Sequence, residues 1–177
     1  MPSEAAVRLN EIAGRIGLSV PVEAGVLSVD LSAVIANYRF VQTKAPAARI
    51  GAVVKADAYG LGASTIAPAL AGAGCRDFFV AHLAEALELV SSLPESARLY
   101  VLNGLAPGME GLCAEAGILP VLNTLEQARD WQAYAVARGR KWPAVLQVDT
   151  GMSRLGLGTD EIEILLRQGM HLQTLRF

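Results

Sequence analysis

After residue 24 the chain alternates short apolar, β-branched runs with segments of helical period, and this alternation narrows the fold more than any other feature. The spacing predicts strands at Val26–Val29, Ile50–Lys55, Phe78–Ala81, Leu99–Leu102, Leu119–Leu122 and Ala144–Val148, with a further candidate at Leu172–Leu175. They read as near-continuous apolar runs, as parallel strands covered on both faces do. Between them Leu31, Val34, Ile35, Tyr38 and Val41 form one helical stripe. Leu83, Leu87 and Val90 form another, with Glu85 and Glu88 on its wet side. Thr124–Gln127 reads as a capping box opening a helix that stops at Gly139, and Ile162, Leu165 and Leu166 mark a last helix. Such alternation means an α/β fold, either an open doubly wound sheet or a (β/α)8 TIM-type barrel, and periodicity does not choose between them. Six βα units follow from Ile50; a closed barrel has eight, so a barrel here would be incomplete. Residues 1–24 read as an N-terminal extension, and 25–177 as the α/β domain.

Composition excludes several classes of function. The chain is 53% hydrophobic and 18% charged, which excludes disorder as its overall state. Its net charge is −2 and it has no basic block, so neither nucleic acid nor an anionic membrane surface is an expected partner. The longest uncharged stretch, Ala58–Cys75, contains four glycines and a proline and makes a poor membrane-spanning helix. The N-terminal segment carries Glu4, Arg8, Glu11 and Arg15 and lacks the apolar centre of a signal peptide. Cys75 and Cys113 fit no metal or redox spacing and read as buried thiols. A cytoplasmic protein without a metal site is the expectation.

Two segments carry chemistry. In Ala52-Val-Val-Lys55-Ala-Asp57-Ala-Tyr59-Gly60-Leu61-Gly62 a lysine stands at the end of an apolar strand, where α/β folds place their sites. Partial desolvation there favours the neutral amine, which can add to a carbonyl or act as a base. A phenol and the exposed amides of a Gly-rich turn suit a phosphate. The ordinary alternative is a snorkelling lysine and a plain turn; Gly-x-Gly alone is a weak signal. In Val148-Asp149-Thr-Gly-Met-Ser-Arg154-Leu-Gly156 a strand again ends in a polar loop, and Arg154 suits bidentate binding of a carboxylate. The ordinary alternative is an arginine paired with Asp149 or Asp160. His82 follows a strand and reads as structural. Asn103 and Asn123 end two further strands, where pocket lining and turn formation explain them equally well. Trp131 and Trp142 read as packing residues.

Together, A-V-V-K-A-D-A-Y-G-x-G and the downstream V-D-T-G-M-x-R-L-G resemble alanine racemase, a fold-type III pyridoxal-phosphate enzyme, and the likeness extends to Asp30-Leu-Ser-Ala-Val-Ile-Ala-Asn37. The resemblance implies an N-terminal (β/α)8 barrel, a β-rich C-terminal domain and a homodimer interconverting L- and D-alanine, D-alanine being a peptidoglycan precursor. It implies that Lys55 holds pyridoxal phosphate and serves as one of two acid/base groups. Tyr59 would bind the cofactor phosphate, and Arg154 would approach the substrate carboxylate and the cofactor's phenolic oxygen. Asp149 would shape the loop that presents Arg154.

The chain departs from the family pattern in several places. Leu61 stands where histidine is commonest. Gln147 replaces a lysine that is often carbamylated and orients the arginine; another anion, such as chloride, would then steady Arg154. The C-terminal domain, which carries the family's opposite-face tyrosine base, is expected to be missing from this chain, and Met170–Phe177 does not read like the family's next strand. His171 reads as a surface or strand-edge histidine. Negligible racemase activity is therefore expected of this chain alone. The alternatives are another fold-type III amino-acid racemase, a small pyridoxal-phosphate-binding barrel protein, and a non-catalytic fragment that only self-associates.

Overall fold

The computed structural model describes Glu11, Gly14, Arg15, Gly17 and residues 27–167. The chain divides into two compact units, Met1–Asp30 and Leu31–Phe177. In the first, residues 27–30 form no strand. The expected opening strand is thus not formed where it is described: no ladder pairs these residues, and apolar character alone does not make a strand. Val26, His171 and the candidate strand Leu172–Leu175 lie outside the described residues.

The second unit runs α1 (Leu31–Lys44), β1 (Ala52–Val53), a turn at Lys55–Gly60, α2 (Ala63–Gly72), β2 (Asp77–Val80), α3 (Leu83–Leu89), β3 (Arg98–Val101), α4 (Glu110–Glu115), β4 (Leu119–Leu122), α5 (Leu125–Ala137), β5 (Val145–Leu146) and α6 (Thr159–Arg167). The five strands are all parallel, in the order β1-β2-β3-β4-β5. This order settles what periodicity leaves open. A doubly wound sheet reverses direction at a switch point. Here every crossover moves to the next strand in the same direction, and right-handed crossovers then put every helix on one face. The other face becomes the concave interior of a barrel wall. Five paired strands stand among the described residues, against the six units expected.

The register separates the two faces. Ala52, Phe78 and Leu99 pair across β1, β2 and β3 on the helix side, and Phe78, Val80 and Val101 there are fully buried. Val53, Phe79, Tyr100 and Leu119 pair across the interior side, where Phe79 stacks on Tyr100 at 4.7 Å. Outside the wall α1 packs on α2, α4 on α5 and α5 on α6. Cys75 and Cys113 are buried free thiols in this layer, and burial pushes the Cys113 thiol up to about 12. Trp131 and Trp142 are buried packing residues; Trp131 Nε1 donates to the Trp142 carbonyl at 3.3 Å. Arg138 and Arg140 lie over the rings of Tyr134 and Trp142. In α3 the buried residues are Ala86 and Leu89, so the core-facing stripe is rotated from Leu83, Leu87 and Val90, which are half-buried.

Candidate active site

The carboxyl ends of the strands converge on a cavity of about 480 Å³ lined by Lys55, Ala81, Leu102, Asn103, Gln147, Arg154 and Leu155. These residues follow β1, β2, β3 and β5. Lys55 and Arg154, far apart in sequence, thus share one small-molecule-sized space. Lys55 is half-buried and Arg154 is exposed. Among the described residues Arg154 makes no ion pair, so the pairing with Asp149 or Asp160 does not form. Tyr59 is 64% exposed and lies outside the cavity lining.

The backbone after Lys55 is unusual. Ala56, Asp57, Ala58 and Tyr59 have φ of 52–58° and ψ of 36–50°, one turn of left-handed helix built from L-residues. Such a conformation costs about 1–2 kcal/mol per residue. It survives because its surroundings over-determine it. The Gly62 amide donates to the Asp57 carbonyl at 2.9 Å, the Ala63 amide to Asp57 Oδ1 at 2.7 Å, and the Leu61 amide to the Ala58 carbonyl. Those amides are therefore engaged within the turn, which corrects the expectation of a Gly-rich loop with exposed amides for a phosphate. Leu61 is exposed, so a side chain other than histidine is tolerated there.

Glu85 is likewise not a wet-side acid. Its Oε1 accepts the Ala56 amide at 2.6 Å, and its Oε2 accepts the amides of Ala81 at 2.7 Å and His82 at 2.9 Å. Burial pushes its carboxyl up, but the His82, Ala56 and Ala81 amides together outweigh that and hold it below the usual range. The sequence signal was present: an acid three residues into a helix, after a strand and an N-cap position. What could not be read was that the carboxylate would also reach the loop after the neighbouring strand.

Asp149 shapes the second loop. Its Oδ1 accepts the amides of Ser153 at 3.0 Å and Gly151 at 2.9 Å, and these bonds hold its carboxyl below the usual range. Gln147 Nε2 donates to the Leu155 carbonyl at 3.2 Å, next to Arg154. Asn103 lines the cavity, and its Nδ2 lies 3.4 Å from Nε2 of the exposed His82. Asn123 is buried instead. Its Nδ2 donates to the carbonyls of Leu102 and Val121, while its Oδ1 has no partner among the described residues. Asn123 thus ties the end of β4 to the residue after β3 and neither lines the cavity nor forms a turn, while Asn103 stands in a turn and also lines the cavity.

A larger cavity, about 730 Å³, opens at the opposite end of the strands. There Asp77 accepts bonds from Arg98 at 2.7 Å and Tyr100 at 3.0 Å. A satisfied ion pair at the amino ends of barrel strands serves stability, so we place the site at the other end. Among the described residues no cluster of three or more His, Cys, Asp or Glu side chains could hold a metal, and no helix is long and apolar enough to cross a membrane.

Residues 29–177 match the family described as alanine racemase, N-terminal domain. Alanine racemase of Brucella ovis is 59% identical over 142 residues, covering 80% of this chain and 36% of that protein. The crystal structure of alanine racemase from Bartonella henselae with covalently bound pyridoxal phosphate superposes with a TM-score of 0.81 at 44% identity, covering 84% of this chain and 43% of that one. Histidine racemase from Leuconostoc mesenteroides superposes with a TM-score of 0.75 at 27% identity, covering 88% and 42%. The chain spans little more than a third of the length of the curated relatives it matches.

Proposed function

Because the chain belongs to the alanine racemase family, matching its N-terminal domain, we propose that it provides the pyridoxal-phosphate-binding barrel wall of an enzyme that interconverts L- and D-alanine. The observation that carries this reading is the shared cavity of Lys55 and Arg154 at the carboxyl ends of the strands. Its donor set fits the cofactor: an amine for the aldehyde, a guanidinium for oxyanions, and the Tyr59 phenol on the adjoining turn for the phosphate. The bound cofactor would supply an electron sink that makes the α-proton of an attached amino acid removable.

The residues of the chain then divide the work. The Lys55 amine would hold the cofactor, and its Nζ would take or return the α-proton on one face of the substrate. The Arg154 guanidinium holds the substrate carboxylate by charge-assisted hydrogen bonds. Asp149 and Gln147 set the loop on which Arg154 stands, in place of a carbamylated lysine. Ala81, Leu102 and Leu155 give the cavity apolar walls that keep water from the reacting carbon. A proton donor on the opposite face would come from a C-terminal β domain of a partner subunit in a homodimer. Supply of D-alanine for peptidoglycan in the cytoplasm is the matching role. The division that goes with this reading is residues 1–24 as an N-terminal extension and 25–177 as the barrel domain.

The test is to mix the chain with pyridoxal phosphate, reduce with borohydride and map the label by peptide mass. We expect a label on Lys55 that the Lys55→Ala variant lacks. No label, or one spread equally over Lys44 and Lys141, would sink the reading. A second reading, a racemase of another amino acid, draws on the likeness to histidine racemase. Faster racemisation of histidine than of alanine by the enzyme containing this chain would favour it.

A further inference from the structure

If Lys55 carries the chemistry proposed above, its amine must be presented from a backbone that is held still. Yet Lys55 opens the left-handed turn, and Ala56, Asp57, Ala58 and Tyr59 all carry a Cβ at positive φ, which is costly. Bonds from the Leu61, Gly62 and Ala63 amides to Ala58 and Asp57 close the far end of the turn, and its near end, at Ala56, is held from outside. Among the described residues, the side chain from beyond the turn that bonds Ala56, its first left-handed residue, is Glu85, on the first turn of α3.

The geometry of Glu85 is that of a clamp between neighbouring βα units. One carboxylate oxygen takes the amide of Ala56, the residue after Lys55; the other takes the amides of Ala81 and His82, which lead out of β2. Ala81 itself lines the cavity with Lys55. All three partners are donors, so only a group that accepts on both oxygens satisfies them. A carboxamide would turn an NH2 group toward at least one amide. The same position in α5 confirms the logic by contrast. Gln127 accepts the Asn123 amide and donates to the carbonyls of Asn103 and Leu105, so there an amide side chain is the matching choice.

We propose that Glu85 is a positioning residue for Lys55: its carboxylate ties the left-handed turn to the end of β2 and so holds the lysine amine where the cofactor aldehyde can reach it. The inference rests on the functional reading of Lys55, and its test separates the two. The full chain and its Glu85→Gln, Glu85→Asp and Leu165→Ala variants are compared by borohydride-trapped label on Lys55 and by amide hydrogen exchange. Leu165 is buried in α6 and serves as a destabilised control that leaves the clamp intact. In Glu85→Gln we expect labelling of Lys55 to slow by about tenfold or more, and exchange at Ala56 to speed by a similar factor, with Phe78 and Leu99 unchanged. Leu165→Ala should label at the wild-type rate. If Glu85→Gln does not fold, the decision passes to Glu85→Asp, which keeps the charge but is too short to span both loops, and which must show the same localised pattern. Wild-type labelling in the folded Glu85 variants, or an acceleration of exchange spread evenly over the sheet, overturns the positioning role alone. A wild-type chain that takes no label on Lys55 overturns the functional reading and this inference with it.

Discussion

Gly156 shows how much one position can carry. Its φ is +106°, and a Cβ there would stand 2.7 Å from the Asp149 amide nitrogen and 2.9 Å from the Val148 carbonyl carbon. Gly60 also has positive φ, at +82°, but open space around it. Gly60→Ala should therefore cost only the conformational strain, about 1 kcal/mol, while Gly156→Ala adds a backbone collision and should cost about 3 kcal/mol or more. Urea denaturation midpoints check the difference; equal losses would mean that the Arg154 loop relaxes freely. Asp149 makes a second prediction at this scale. Its folded-state carboxyl lies below the ordinary range because the Ser153 and Gly151 amides bond the charged form. Its contribution to the loop is thus complete above the ordinary aspartate range and lost as pH falls through the depressed folded value. The Ser153 amide resonance should titrate in that acid window, and Asp149→Asn should abolish the titration.

At the scale of the element, each of three helices uses its first turn to grip the preceding unit. Glu85 on α3 grips the turn after β1, Gln127 on α5 grips the loop after β3, and Glu161 on α6 accepts the Leu125 amide at the start of α5 as well as the Gly158 amide. Helix starts thereby satisfy orphan loop groups and fix the spacing of βα units at the end of the barrel that holds the site. The capping box read at Thr124–Gln127 is half right. Thr124 Oγ1 accepts the Gln127 amide at 3.1 Å, but the Gln127 side chain goes to Asn123 and to the loop after β3. Gln127→Glu should destabilise by about 1–3 kcal/mol, since a carboxylate cannot donate to the Asn103 and Leu105 carbonyls. A urea midpoint at the wild-type value would show that these carbonyls find water instead.

For the whole molecule, the sheet has two open edges among the described residues: β1 pairs only with β2, and β5 only with β4. Val53 on the edge strand is 45% exposed. Open parallel edges of this kind pair with other chains, so the 177-residue chain should associate as its concentration rises, and Val53→Lys should reduce that association. Sedimentation velocity checks this; a monomer at every concentration would refute it. Strands β1 to β5 and helices α1, α3, α5 and α6 were legible in the sequence, because the period of apolar residues reports which face of an element is covered; the strand expected at Val26–Val29 is not formed where it is described. The two loops carrying Lys55 and Arg154 were legible too, since reactive groups placed directly after apolar runs stand out from their surroundings. Periodicity did not choose between barrel wall and open sheet, because both share one period and differ only in which strand each crossover reaches; the resemblance carried by the two motifs implied the barrel, and the strand order agrees. The left-handed turn and the grip of Glu85 were not legible. Each of these depends on atoms from separate βα units, which local sequence does not relate and only the packed sheet brings within hydrogen-bonding reach.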